Sequence, residues 1–133
     1  DLARSGGKSM TEVGIVIVSH SKWIAQGLVD LISEVAKDIV LTYVGGTEDG
    51  GIGTSFEQVQ TVVEANKAEK ILAFFDLGSA RMNLELVADF SDKDIIINNV
   101  PIVEGAYTAA ALLQAGADLV TIQEQLKELE IKK

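Results

Sequence analysis

The chain contains no cysteine, which excludes disulfides and thiolate metal sites and fits a cytoplasmic protein. It lacks any apolar run near the roughly 20 residues that span a bilayer, and its N-terminus lacks the apolar core of a secretion signal. No membrane partner is expected. Basic residues are scarce: 11 Lys and Arg stand against 20 Asp and Glu, a net charge of −9. They are scattered rather than clustered, so nucleic acid, which needs a concentrated basic patch, is discounted as a ligand. An acidic surface repels free phosphate too, and phosphate chemistry would need a shielded pocket with backbone N–H donors. Internal repeats, low-complexity segments and internal linkers are also missing. At 133 residues the chain has the length for one domain and one core.

What is present is an ordinary globular composition, 47% apolar and 23% charged. Asp1 to Ser9 (DLARSGGKS) precede Met10 without periodicity and read as an expression scar, leaving 10–133 as a single domain. Within it, Gly6-Gly7-Lys8-Ser9 is superficially like a Walker A loop, but Leu2 occupies the place of the first glycine and no strand precedes it.

From Val13 to Val18 the run VGIVIV predicts a strand buried on both faces of a parallel sheet, ended by Ser19-His20-Ser21. Ile24, Leu28, Leu31, Ile32 and Val35 recur at helical spacing behind Ser21 as N-cap, predicting a helix to about Lys37. Ile39 to Val44 forms a second strand. It stops at the loop Gly45 to Ser55 (GGTEDGGIGTS), rich in residues that permit unusual backbone angles. Phe56, Val59, Val62 and Val63 mark a second helix, and Ile71 to Phe75 a third strand ending at Asp76-Leu77-Gly78-Ser79. A third helix from Ser79 is expected to carry Met82, Leu86, Val87 and Phe90 inward. Asp94 to Asn98 is the fourth strand, before Pro101, the only proline. Val103 to Ala117 is alanine-rich, suited to close packing on the sheet or another subunit, and Thr121 to Ile131 is expected to be a charged, exposed last helix. Trp23, Phe74 and Phe75 read as core residues. Strands alternating with helices predict a doubly wound α/β fold, a mainly parallel sheet of about four strands with helices on both faces.

In such sheets ligands bind beyond the carboxyl ends of the strands, where the winding reverses. With strand order 2-1-3-4, that point lies between strands one and three, whose ends carry His20 and Asp76. His20 is the only histidine. A carboxylate that takes the proton of one ring nitrogen fixes the tautomer and frees the lone pair of the other, giving a nucleophile. Phosphoryl transfer needs little more than in-line positioning and N–H donors, which helix N-termini and glycine loops supply. Three helix starts converge here, after His20, Thr54 and Gly78. Ser21, Thr54, Ser55 and Ser79 offer hydroxyls, and Lys22 and Arg81 offer charge at the rim. Duller roles compete: a hydrogen-bonded structural His20, Asp76 or Ser79 as a helix cap, a glycine loop that is merely a mobile turn. No metal ligand set is expected.

The segments GIVIVSHS (Gly14 to Ser21), GGTEDGGIGTS (Gly45 to Ser55), FDLGSARMN (Phe75 to Asn83) and VPIVEGA (Val100 to Ala106) resemble the phosphotransferase subunit of the phosphoenolpyruvate-dependent dihydroxyacetone kinase. The fold of that family is the mannose-class enzyme IIA fold of the sugar phosphotransferase system (PTS). The resemblance implies that His20 is the phosphorylated residue, Asp76 its orienting carboxylate, and Leu77, Gly78 and Ser79 the phosphate cradle, with Gly53, Thr54 and Ser55 on the opposite wall. It implies a relay in which the phosphocarrier protein HPr phosphorylates His20. Phospho-His20 then rephosphorylates ADP held in the nucleotide-binding kinase subunit (DhaL). No cofactor is expected on this chain itself. Because the chain ends at Lys133 without a fused phosphocarrier domain, a separate HPr is expected. A homodimer is implied as well, with the alanine-rich helix as a candidate contact. Rival readings are an enzyme IIA component of a mannose-type permease, with the same fold and histidine, and a degenerate receiver or flavodoxin-like module. A receiver needs acidic residues for Mg²⁺ at the end of strand one, where Ser19-His20-Ser21 stands.

Overall fold

Val13 to Val18 offers a strand no polar face, and the fold buries it on both sides. A computed structural model describes residues 12–133; the segment read as a scar, Met10 and the Gly6 to Ser9 stretch lie outside the described residues. β1 (Val13–Ser19), β2 (Val40–Gly45), β3 (Lys70–Phe75) and β4 (Asp94–Asn98) form one sheet in the order β2-β1-β3-β4. Every neighbouring pair is parallel. The expected 2-1-3-4 order is thus observed, and the winding reverses between β1 and β3.

Period-two alternation sends Ile15 and Ile17 to one layer and Val16 and Val18 to the other. The first layer holds α1 (Lys22–Ser33), α4 (Ile102–Gln114) and α5 (Leu119–Lys127), with Leu28, Ile32, Phe74, Ala106, Ala109, Ala110 and Ile122 in its core. Packed in the second are α2 (Phe56–Ala65) and α3 (Gly78–Phe90), through Val59, Val63, Ala80, Leu84 and Val87. Phe74 and Phe75 are fully buried, one in each layer, and truncating either to alanine is expected to cost about 3–5 kcal/mol.

Several inward faces differ from those the periodicity suggests. On α1 the buried residues are Ala25, Leu28 and Ile32, while Ile24 and Leu31 are exposed, as is Val35 beyond its end. The reason is close approach at the strand end: a Cβ on Gly45 would lie 2.8 Å from the Ala25 Cβ, so only a small residue fits where α1 meets β2. That phase turns Trp23 outward, against its reading as core. The helix also ends at Ser33 instead of about Lys37. On α3, two stripes fit a helical repeat, and the sheet takes Ala80, Leu84 and Val87, leaving Met82, Leu86 and Phe90 exposed. Val87 alone of the expected inward residues is buried. Phe90 instead meets Phe56 edge-on, with ring centroids 6.3 Å apart. The small residues of α4 face inward, where Gly105 abuts Val100 and Phe74, so that face is core and not a subunit contact.

Candidate active site

Register decides which side chains meet at the carboxyl edge. β1 and β3 are aligned with Val18 opposite Phe75, so the residues that follow, Ser19-His20 and Asp76, leave the sheet side by side. His20 Nδ1 lies 2.8 Å from Asp76 Oδ1, and the two side chains are 15% and 12% exposed. Three further donors converge on the same carboxylate. Oδ2 accepts from Ser19 Oγ at 2.7 Å and from the His20 N–H at 2.9 Å, and Oδ1 accepts from the Leu77 N–H at 2.7 Å. Burial alone would raise the Asp76 pKa, but these hydrogen bonds outweigh it and hold the carboxyl below its ordinary 3.8.

An ionised carboxylate only accepts hydrogen bonds, so the Nδ1 contact requires a proton on Nδ1. In the neutral ring, Nε2 then carries the lone pair. Ser79 Oγ lies 2.5 Å from it and fills the donor role. Ser79 sits in the first turn of α3, whose N-cap, Leu77, makes no side-chain capping bond. The N–H groups of a helix start favour anions, so the lone pair of Nε2 faces a cradle already biased toward negative charge.

The glycine loop forms the adjoining wall. Gly53 N–H donates to the His20 carbonyl at 2.8 Å, and Gly46 N–H to that of Ser19 at 3.1 Å. Thr47 N–H donates to Gly51 O at 3.0 Å and Gly50 N–H to Thr47 O at 2.9 Å, closing the loop on itself. Gly46 has φ +79°, and a Cβ there would lie 2.6 Å from Gly51 O, so a side chain is unwelcome for two reasons.

A model of the EIIA-man family, described as the PTS system fructose IIA component, matches residues 14–123. The Lactococcus lactis protein named PTS-dependent dihydroxyacetone kinase, phosphotransferase subunit DhaM, is 60% identical over 120 residues, 90% of this chain and 98% of that one. The chain belongs to the DhaM family. A Listeria innocua protein, named phosphoryl donor subunit DhaM of PEP-dependent dihydroxyacetone kinase 1, is 51% identical over 119 residues, covering 90% and 96%. Among solved structures, EF1359, a protein of unknown function, superposes with a TM-score of 0.79 at 29% identity, covering 91% of this chain and 97% of that chain. No helix among the described residues is long and apolar enough to cross a membrane.

In this DhaM-family chain, His20, Asp76, Gly78 and Ser79 come together, while other residues singled out in the sequence do different work. Ser21 caps α1, its Oγ accepting from Ile24 N–H at 3.4 Å, and Ser55 caps α2, accepting from Gln58 N–H at 3.2 Å. Thr54 Oγ1 accepts from Asn83 Nδ2 at 2.8 Å, tying the loop to α3. The N–H groups of Leu77 and Gly53 are engaged by Asp76 and His20. Lys22 lies at the rim, its Nζ 5.0 Å from the Trp23 ring centroid. Arg81 is engaged elsewhere, its Nη1 donating to Asn99 Oδ1 at 3.4 Å and to the Lys133 main-chain oxygen at 3.2 Å. Two residues escaped the sequence reading. Ser19 is buried beneath Asp76, and its parity with Ile15 and Ile17 was a signal that it points inward. Lys133 reaches the edge from the far end of the chain, which no local pattern foretells.

Proposed function

We propose that His20 accepts a phosphoryl group on Nε2 from HPr and passes it to ADP bound in the nucleotide-binding subunit of dihydroxyacetone kinase. The observation that carries this reading is the pairing of Nδ1 with Asp76, which leaves Nε2 as the nucleophile against the uncapped start of α3. In the first step the Nε2 lone pair attacks phosphorus, the donor N–P bond breaks, and its electron pair returns to the donor imidazole. His20 keeps its Nδ1 proton throughout, and the positive charge that develops on the ring is offset by Asp76. Ser79 Oγ–H, released from Nε2, turns to a phosphoryl oxygen beside the N–H groups of Gly78 and Ser79. In the second step a β-phosphate oxygen of ADP attacks in line, the N–P bond breaks, and the lone pair returns to Nε2.

The surroundings support docking of a protein on each side of the exchange. Trp23, Ile52 and Leu77, chain neighbours of the site segments, are 74%, 78% and 60% exposed and offer apolar contacts to a docking partner. The names of the relatives at 60% and 51% identity favour the kinase subunit over a permease component as acceptor. In this proposal the chain binds no cofactor, the ADP being held by the partner, and it forms a homodimer through a surface other than the inner face of α4.

The test incubates the protein with phosphoenolpyruvate, enzyme I and HPr and follows intact mass. Wild type should gain an acid-labile phosphoryl group and His20→Ala none; an equal yield in the variant overturns the assignment. The phosphoprotein is then offered the ADP-loaded kinase subunit and, as control, a mannose-type IIB protein. Discharge to IIB but not to ADP would replace the kinase role with the permease role.

A further inference from the structure

Arg81, the cation that the sequence offers for the α3 side of the site, hydrogen-bonds Asn99 and the main chain of another cation, Lys133. The segment after α5 runs back along the carboxyl edge of the sheet. Ile131 N–H donates to Asn99 O at 2.9 Å, and the Lys133 main-chain oxygen accepts from Arg81 Nη1. So anchored, Lys133 Nζ donates to Phe75 O and to Val100 O, each at 2.8 Å, and stands 4.1 Å from the Phe75 ring centroid.

The two carbonyls are informative. The β3–β4 ladder ends at the pair Phe74 and Asn98, so Phe75 and Val100 lie where pairing between these strands has stopped. Lys133 bridges the gap with two charge-assisted bonds, which are roughly twice as strong as neutral ones. Phe75 immediately precedes Asp76. A rotation of the peptide between them would swing the carboxylate away from Nδ1 and disturb its bonds to Ser19 and Leu77 at the same time. Burial holds the Lys133 pKa below its ordinary 10.5, although the Asp76 charge acts in the opposite direction.

We propose that Lys133 is a positioning residue for the His20–Asp76 pair, clamping the end of β3 in the frame that presents Asp76 to Nδ1. The proposal rests on the phosphoryl-acceptor reading of His20. It assigns Lys133 no contact with the phosphoryl group and gives Arg81 the supporting task of holding the strap.

Lys133→Met keeps the length and the apolar stem over Phe75 and removes the donors and the charge; Lys133→Arg keeps donors and charge. The first readout is the ¹⁵N chemical shifts of the neutral His20 ring in unphosphorylated protein. Wild type should hold the Nδ1–H tautomer, and Lys133→Met should shift population toward Nε2–H. The second is phosphorylation by phospho-HPr. At saturating donor the rate should fall about tenfold in Lys133→Met, as misplacing a catalytic group does, with the donor KM unchanged within about twofold. Lys133→Arg should restore tautomer and rate to at least about half of wild type. An unchanged tautomer and rate in Lys133→Met overturn the proposal even if the melting temperature falls, and so does a raised KM with an unchanged tautomer. If Lys133→Met does not fold, Arg81→Gln, which releases the strap, is read in the same way. Because the tautomer is measured without any donor, a wild-type protein that accepts no phosphoryl group overturns the functional reading separately from the clamp.

Discussion

Replacing Asp76 by asparagine keeps the shape of the side chain and takes away one of its two acceptor oxygens. Four donors now converge there: the Nδ1–H and main-chain N–H of His20, the Ser19 hydroxyl and the Leu77 N–H. With the amide oxygen in the Oδ1 place, the NH₂ group faces the His20 main-chain N–H and strands it. Flipped, the NH₂ group faces the Leu77 N–H and donates to Nδ1, which forces the proton onto Nε2 and removes the nucleophilic lone pair. Either orientation leaves a part-buried donor unmet, a cost of about 1–3 kcal/mol. At this chain length that should lower the melting temperature by roughly 3–10 °C. The flipped orientation adds a kinetic loss. The comparable change in a serine protease triad costs about 10⁴ in turnover, and we expect about 10²-fold or more here, because the phosphohistidine cycle moves no proton to or from the reacting nitrogen. Single-turnover phosphorylation by phospho-HPr, with thermal unfolding in parallel, tests both parts. Transfer within about threefold of wild type would mean that the carboxylate does not set the tautomer on which the reaction depends.

Other outcomes follow from the same geometry. Because the Asp76 pKa is depressed by folding, the carboxyl contributes stability that is present above its unfolded pKa and lost as pH falls through the folded value. Wild type should therefore lose melting temperature more steeply than Asp76→Asn as pH falls below about 4, and parallel curves would contradict the linkage. Gly45→Ala drives a Cβ into Ser21 O and places it 2.7 Å from Lys22 Cα, so the start of α1 must move. We expect about 1–3 kcal/mol of destabilisation with slowed phosphoryl acceptance, and an unperturbed variant would show that the junction is looser than the packing implies. Trp23→Ala and Ile52→Ser should leave thermal stability within about 0.5 kcal/mol while raising the KM for a protein partner. An unchanged KM for both donor and acceptor would remove the apolar fringe from the docking surface.

The local sequence carried much of this protein. The β-branched run before Ser19-His20-Ser21, the glycine loop and the Asp76 to Ser79 turn each record a strand end or helix start, because backbone freedom, capping and burial act over a few residues. Alternation of strands and helices carried the parallel sheet, and the switch-point rule then picked out His20 and Asp76 without any geometry. Tertiary structure decided what depends on phase and on distant partners. Helical periodicity is equally satisfied by Met82, Leu86 and Phe90 or by Ala80, Leu84 and Val87, and only the space available over the sheet selects the second set. The same holds for Trp23, turned outward because Ala25 must face Gly45. The facing of Nδ1 to Asp76 and of Nε2 to Ser79 needed the register of β1 against β3 and the approach of Ser79 from α3. Lys133, 57 residues beyond Asp76 in the chain, reaches that edge only because α4 and α5 return the chain to the sheet, a contact between segments too far apart for any local pattern to encode.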